Sequence, residues 1–490
     1  MSRAATGFRP GTLQIYGIAA ALIVVAWASL GALGMDPGGD GRMLLTAVAA
    51  LILTPAMLRD PFGMLCLILF LLPFSLGVLQ IEIGIVTFNP YTLGIMAALL
   101  VAVAGLGMGR LRYRSAPEDL GVLLLGISFL LSTLRAHDKV QAGFLAFHGV
   151  FIPVVTYFAL KTLVHTPDQY RKALVAFVGG ITAFALYGLF EFARNPVRLH
   201  VLNMPSISAA ALLTTGLIVI MYSGWWRKPL AMLAALVLFG ALLATFSRGY
   251  LVLLLLTPLF FRILRRGHAT TLIVAMLVAS LLGTLLLVQT SEMFEVEGLD
   301  KGQEQTAERL TDPGFWLNSL YGRGRYYAVG LQEFARSPFL GNGFHQNFVS
   351  TAGRAVVWHN FHVEWLEYGG LSAYLLYVTV LILHFRGMSR AARTRRAVAV
   401  NLTAFFVILL NGLTNSFTAG ISPILGFLLM ALNHAHQDHV PDAQNSTTGA
   451  TARRDPVQRP RTSGTRYTPQ VRRRPAPRSA PAGQPRDSGP

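Results

Sequence analysis

Long apolar runs follow one another along most of the chain, and they restrict the fold more than any other feature. A helix that crosses a lipid bilayer needs roughly 17–25 mostly apolar residues, and most of the runs are close to this length. On this rule we place spans near 11–34, 42–58, 62–80, 90–108, 118–134, 140–160, 170–190, 205–223, 229–246, 249–264, 270–289, 362–385, 397–413 and 417–433.

The sequence therefore predicts an all-α, polytopic transmembrane bundle of about 12 to 14 spans. Several runs are short, and the last two could form a re-entrant pair. The first run is longer than the apolar part of a signal peptide, so we read it as an uncleaved span. The alternating pattern of an outer-membrane barrel does not occur in the sequence.

Composition narrows the possible partners. Charged residues make up 13% of the 490 residues, about half the usual share in a soluble protein. The net charge of +18 comes mainly from short loops and from the C-terminal segment. Membrane topology requires such a distribution, so we expect membrane lipids as partners and no nucleic acid. Cys66 is the single cysteine, so no disulfide can form within the chain.

The distribution of arginine and lysine predicts the orientation. If the N-terminus is cytoplasmic, the inside loops carry more basic residues than the outside loops, as the positive-inside rule requires. The inside loops contain Arg59, Arg110, Arg112, Arg114, Lys161, Arg171, Lys172, Arg227, Lys228, Arg262, Arg265, Arg266, Arg386, Arg390, Arg393, Arg395 and Arg396. Both termini are then cytoplasmic, and the long polar segment lies outside the membrane.

Four segments follow from this reading. They are an N-terminal transmembrane bundle (1–289), an external loop with short helices (290–361), C-terminal transmembrane helices (362–435) and a disordered, basic, Pro- and Arg-rich cytoplasmic tail (436–490). The tail either contacts anionic lipid or has no role.

The external loop contains a predicted helix and a predicted turn. Tyr327, Leu331 and Phe334 recur at helical spacing, which predicts a short helix lying on the membrane or on the bundle. Pro338 and the Gly-Asn-Gly sequence at 341–343 predict a turn directly after it.

Polar residues gather between Tyr321 and Leu376, at the end of this loop and the start of the next span. They include Arg323, Arg325, His345, Arg354, His359, His362, Glu364 and Glu367. A polar cluster at one face of a membrane protein is the first place to look for chemistry.

Three arginines suit a membrane-embedded phosphate. Arg248 follows Ser247 between two apolar spans at the predicted outer face, and Arg323 and Arg325 open the predicted short helix. A planar guanidinium can bond two phosphate oxygens at once. The alternatives are an interfacial anchor for Arg248 and lipid headgroup binding for Arg325.

His359 and Asn360 stand directly before an apolar span. Histidine titrates near neutral pH, so His359 is a candidate general base or phosphate partner; the alternative is a structural histidine at the membrane interface. His359 and His362 also have helical i, i+3 spacing, with Glu364 and His345 near them in sequence. These residues form no dense ligand motif, so we predict no metal site and no cofactor.

The ordered set of motifs resembles the O-antigen ligase and O-antigen polymerase superfamily of bacterial membrane glycosyltransferases. The matching pieces are Ser247-Arg248-Gly249, Arg325 with Tyr326-Tyr327-Ala328, the segment 337–343, His359-Asn360, Glu367 and Gly369-Gly370-Leu371. The resemblance covers about residues 170–440. A tryptophan expected near Arg325 is missing, which makes Arg323 the fallback for that position.

The resemblance implies a GT-C-like helical fold, a polyprenyl-diphosphate-linked glycan donor and a glycan or lipid acceptor. It implies metal-independent transfer on the periplasmic or outer face of the bacterial cytoplasmic (inner) membrane. By position, Arg248 and Arg325 would hold the diphosphate and His359 would activate the acceptor. We place Arg323, Asn360, Ser247 and Glu367 in the substrate-binding set.

Several functions stay open at this stage. We favour a polymerase of a surface polysaccharide or exopolysaccharide slightly over a ligase. A transporter or flippase of lipid-linked or anionic substrates is the alternative, and it would require ionisable residues deep inside the spans. A membrane scaffold that acts through the tail is the third possibility.

Overall fold

The computed structural model describes most of the chain between residues 60 and 435. The described residues are 60–75, 81–83, 86–136, 138–196, 199, 204–290, 313–344, 347–348, 355–356, 360–412 and 421–435.

These residues form α-helices and two short hairpins. The helices are α1 (Pro61–Ser75), α2 (Pro90–Gly107), α3 (Asp119–Thr133), α4 (Lys139–Ala146), α5 (Ile152–Leu163), α6 (Pro167–Arg194), α7 (Ser206–Ser223), α8 (Pro229–Ala244), α9 (Arg248–Arg265), α10 (Ala269–Thr290), α11 (Pro313–Arg336), α12 (Phe361–Thr394), α13 (Arg396–Gly412) and α14 (Ser422–His434). A π-helical turn, Phe147–Phe151, joins α4 to α5, and a 3-10 turn, Trp225–Arg227, precedes α8. The antiparallel hairpins are β1 (Ile81–Ile83) with β2 (Val86–Phe88), and β3 (Asn347–Phe348) with β4 (Ala355–Val356).

The predicted all-helical class is confirmed. Every predicted span from 62–80 onward coincides with a helix, whereas the spans near 11–34 and 42–58 lie outside the described residues. Six described helical segments are long and apolar enough to cross a membrane; they are Pro90–Gly107, Lys139–Leu163, Pro167–Arg194, Ser206–Ser223, Ala269–Thr290 and Phe361–Thr394. The total span count and the orientation stay predictions.

Local sequence explains where helices begin. Asn89 precedes α2, its side chain accepts a hydrogen bond from the Thr92 amide, and the Thr92 hydroxyl accepts one from the Asn89 amide. Thr166 and Gln169 form the same reciprocal pair at the start of α6. A proline follows each cap, at the first helical position, where its missing N–H has no helical partner to lose.

Burial divides the bundle into central and peripheral helices. Nearly all residues of α13 and α14 are buried, and α14 packs against α5 and α13. The peripheral helices α8 and α9 instead expose large apolar side chains, such as Leu230 at 80% and Leu255 at 79%. Such faces are unfavourable in water and suit contact with lipid acyl chains.

The helix predicted in the external loop is longer than expected. It begins at Pro313 and ends at Arg336, and it packs against α10 and α12. Contact with the bundle was one of the two predicted possibilities. The predicted turn follows it at residues 338–343. Residues 291–312 and the tail 436–490 lie outside the described part of the chain.

Candidate functional site

The polar segment is built on α10, α11 and α12, which pack against one another. Asn360 caps α12: its Oδ1 accepts hydrogen bonds from the amides of His362 and Val363, at 2.9 and 3.2 Å. Its Nδ2 donates to Thr284 Oγ1 of α10 at 2.8 Å. Asn360 therefore fixes both the first residue of α12 and its position against α10.

The turn after α11 is joined to a break in α12. Gly370 has φ 68° and ψ −175°, so the helix is interrupted there. Four backbone hydrogen bonds connect the two segments: Asn342 N to Glu367 O (2.9 Å), Gly343 N to Tyr368 O (3.0 Å), Leu371 N to Pro338 O (2.8 Å) and Ser372 N to Phe339 O (3.2 Å). Two motif pieces that are separate in sequence thus form one backbone structure.

Glycine is required at both sides of this junction. Gly341 also has a positive φ, 73°. A Cβ added at Gly341 would lie 2.5 Å from Gly370 N, and one added at Gly370 would lie 2.5 Å from Gly341 N. A side chain at either position would therefore separate the two backbones.

The carboxylates of the segment are buried. Glu367 is fully buried, and its Oε1 lies 3.4 Å from Asn342 Nδ2, next to the glycine junction. Glu364 is also fully buried and lies in the first turn of α12, where the helix dipole favours a negative charge. Glu367, which we placed in the substrate-binding set, thus has a contact that holds the turn.

Arg323 faces the start of α12. It lies one helical turn before Tyr327, close enough for the guanidinium and the phenol to interact, and Tyr327 is hydrogen-bonded to Asn360. Burial lowers the pKa of Arg323 and raises the pKa of Tyr327 to about 12. Arg325, by contrast, is exposed. Of the two cations, Arg323, the fallback position, is therefore the more buried.

His362 has a structural environment. Its Nε2 lies 2.6 Å from Ser280 Oγ and its Nδ1 lies 2.8 Å from Tyr374 OH. Both ring nitrogens thus have hydroxyl partners, and among the described residues His362 belongs to no group of three candidate metal ligands. His359, the predicted base, lies outside the described residues, as do His345 and Arg354. His359 is nevertheless covalently joined to Asn360, whose position is fixed.

Arg248 is the first residue of α9, and it follows a strained turn. Phe246 has φ 50°, a left-handed conformation that residues other than glycine adopt rarely. Ser247 is buried and Arg248 is partly buried. The helix α9 packs against α10, α12 and α13. Arg248 therefore adds its charge to the positive end of a helix that borders the site.

The structure contains a second polar cluster that the sequence alone does not reveal. Glu118, His384 and His434 converge at the start of α3, the second half of α12 and the end of α14. Its signal was His384, an ionisable residue inside an apolar run, where polar side chains are costly and usually have a role.

Comparison with known proteins assigns no family. No family model matches the chain, and no curated protein matches it. The resemblance described above therefore rests on the motifs and on their order.

Proposed function

We propose that the chain is an integral-membrane glycosyltransferase that transfers or polymerises a polyprenyl-diphosphate-linked glycan in bacterial surface polysaccharide assembly. One observation carries the proposal: the junction of residues 338–343 with 367–372 unites two of the motif pieces. Asn360, the residue that follows the proposed base, caps the same stretch of α12 that leads into this junction.

The proposed reaction uses cationic side chains and one base. The acceptor hydroxyl attacks the anomeric carbon of the donor sugar, and the bond from that carbon to the diphosphate oxygen breaks. His359 takes the hydroxyl proton, and the polyprenyl diphosphate leaves. Arg248 with Arg323 or Arg325 neutralises the charge that develops on the leaving group. The arginines supply the positive charge, so the proposed transfer uses no metal ion.

The geometry around Asn360 supports this assignment of roles. Tyr327 and Thr284 both contact the Asn360 side chain, so α10 and α11 fix the start of α12 together. A base must be held within hydrogen-bonding reach of the acceptor. Asn360, the residue after His359, is fixed by α10 and α11, which supports this role, and Arg323 lies one helical turn before Tyr327.

The decisive experiment is glycan analysis of cells that carry His359→Ala, with membrane insertion measured on the same samples. We expect an inserted protein, loss of long glycan and accumulation of lipid-linked precursor. Single repeat units on the carrier indicate a polymerase, which we slightly favour, and finished chains on the carrier indicate a ligase. Unchanged glycan in an inserted His359→Ala variant would contradict the proposal.

A transporter or flippase is the second candidate, because the bundle buries three ionisable groups, Glu118, His384 and His434, although two of them lie at helix ends and not deep inside the spans. Ionisable groups buried in a membrane bundle often mark a transport path. Liposomes that contain the purified protein should then move a lipid-linked or anionic substrate without any change in its glycan. Transfer of sugar in the same liposomes would favour the glycosyltransferase.

A further inference from the structure

The second polar cluster joins three distant parts of the chain at one carboxylate oxygen. Glu118 Oε1 lies 2.8 Å from His384 Nδ1 and 3.1 Å from His434 Nε2. The three atoms all lie within 4.8 Å of one another. Glu118, His384 and His434 are 1%, 0% and 7% exposed, so the cluster is closed to solvent.

We propose that Glu118, His384 and His434 bind a divalent transition-metal ion of the zinc class, separate from the proposed transfer site. Two imidazoles and one carboxylate form a ligand set that zinc uses in proteins. Ligand atoms around a tetrahedral zinc are about 3.3 Å apart. The two contacts to Glu118 Oε1 therefore need to lengthen by a few tenths of an ångström, and the two histidine nitrogens, which lie within 4.8 Å of each other, need to reach the same spacing.

Neighbouring residues fit the outer shell of such a site. His384 Nε2 lies 3.1 Å from Asn433 Nδ2, and Asn433 is fully buried. Among the described residues, Asn433 Oδ1 has no hydrogen-bond partner. A turn of the amide would give that oxygen the Nε2–H of a metal-bound His384, which is the usual outer partner of a ligating histidine.

Tyr157 offers an oxygen for a fourth position. Its hydroxyl lies 3.2 Å from His434 Nε2 and donates to Asp119 Oδ1 at 2.7 Å. Asp119 also pairs with Lys161. The tyrosine is thus held by α3 on one side and faces the ligand nitrogen on the other.

The charge balance of the cluster favours a cation. Asp119 pairs with Lys161, and Glu118 brings one further carboxylate to the cluster. A buried charge without a counter-charge is strongly unfavourable. A metal ion supplies a counter-charge to the Glu118 carboxylate, and imidazole binds such an ion in its neutral form.

The site is separated from the transfer site by the second segment of α12. His384 follows the break at Gly370 by 14 positions, which corresponds to roughly 21 Å of helix axis. The ion would instead connect α3, α12 and α14, so we assign it a structural role. The proposed glycosyl transfer stays metal-independent.

Metal content tests the proposal on the full-length protein, purified in detergent without a polyhistidine tag. We expect about one equivalent of zinc per chain by elemental analysis. His384→Gln and His434→Gln should lose it, whereas the matched control His165→Gln, in the turn between α5 and α6, should keep it. A wild-type protein without bound metal, or equal metal content in all variants, would overturn the proposal.

A second pair of measurements keeps the test decisive if the glutamine variants fail to fold. Chelation should lower the melting temperature of the wild-type protein, and added zinc should restore it. His434→Cys should bind Co²⁺ with a sulfur-to-cobalt absorption band that the wild type lacks. An unchanged melting temperature on chelation, together with no such band, would show that the cluster binds no metal ion and is joined by hydrogen bonds alone. Neither measurement depends on glycan transfer.

Discussion

Gly341 and Gly370 meet backbone to backbone, each with a positive φ and each without room for a Cβ. They lie in different elements, and their contact fixes the turn after α11 against the break in α12. The position of the polar segment therefore depends on two residues that carry no side chain.

Replacing either glycine by alanine should destabilise the protein. Gly341→Ala and Gly370→Ala combine a left-handed conformation with a backbone clash, and we expect a loss of about 2–4 kcal/mol for each. Gly387→Ala is the matched control, since it lies in α12 with no atom within 4 Å of an added Cβ. It should be neutral or stabilising by about 0.5–1 kcal/mol. Thermal unfolding in detergent measures all three, and equal melting temperatures would contradict the expectation.

Loss of the Asn360 side chain should weaken both stability and transfer. Asn360→Ala removes the cap of α12 and the bond to Thr284, and we expect a cost of about 1–3 kcal/mol. Thr284→Val removes the second interaction, together with the bond from Thr284 Oγ1 to Ser280 O within α10, but it keeps the cap and should cost less. A double-mutant cycle measures the coupling between the two residues. A coupling energy near zero would show that the hydrogen bond contributes nothing to the junction of α10 with α12.

Arg323 should be more important for transfer than Arg325. Arg323 is partly buried beside Tyr327, whereas Arg325 is exposed. We expect Arg323→Gln to lower glycan transfer on the order of 100-fold, because it removes a positioned cation from a site of low polarity. Arg325→Gln should have a smaller effect, and Arg336→Gln at the exposed end of α11 should have none. Glycan length in membrane-inserted variants provides the measurement. A larger loss for Arg325→Gln would return the diphosphate role to Arg325.

The buried pair of Lys161 and Asp119 should be sensitive to the loss of one partner. The Lys161 and Asp119 side chains are 2% and 13% exposed. We expect Lys161→Met to cost about 3–5 kcal/mol, because it leaves a buried carboxylate without its counter-charge. Lys172→Met breaks the exposed pair with Asp168 and should cost at most about 1 kcal/mol. Reactivity of the single, buried Cys66 toward a maleimide reports unfolding in both cases. Equal reactivity of the two variants would contradict this view.

The sequence predicts the local features of the fold well, because they depend on neighbouring residues. Apolar run length places the helices, and the cap residue Asn360 lies directly before an apolar run. Pro338 and the glycines after it predict the turn. Each of these signals acts over a few residues and is independent of the rest of the chain.

The contacts between distant segments could not be predicted in the same way. Gly370 lies inside an apolar run that reads as one continuous helix, so neither its break nor its contact with Gly341 is visible in the pattern. The meeting of Glu118, His384 and His434 depends on how three helices pack. An ionisable residue such as His384 inside an apolar run is a signal of such a site, but its partners are set by the tertiary structure.

The burial of α14 has a consequence for biosynthesis. This helix follows every other described helix in the chain, yet it is almost completely enclosed and packs on α5 and α13. During translation, α14 emerges from the ribosome after α5 and α13. Until then, the surfaces of α5 and α13 that pack against α14 stay in contact with lipid or with the insertion machinery. The bundle can therefore close only late in synthesis, and a ribosome that stalls before residue 422 leaves an unfinished groove for membrane quality control to recognise.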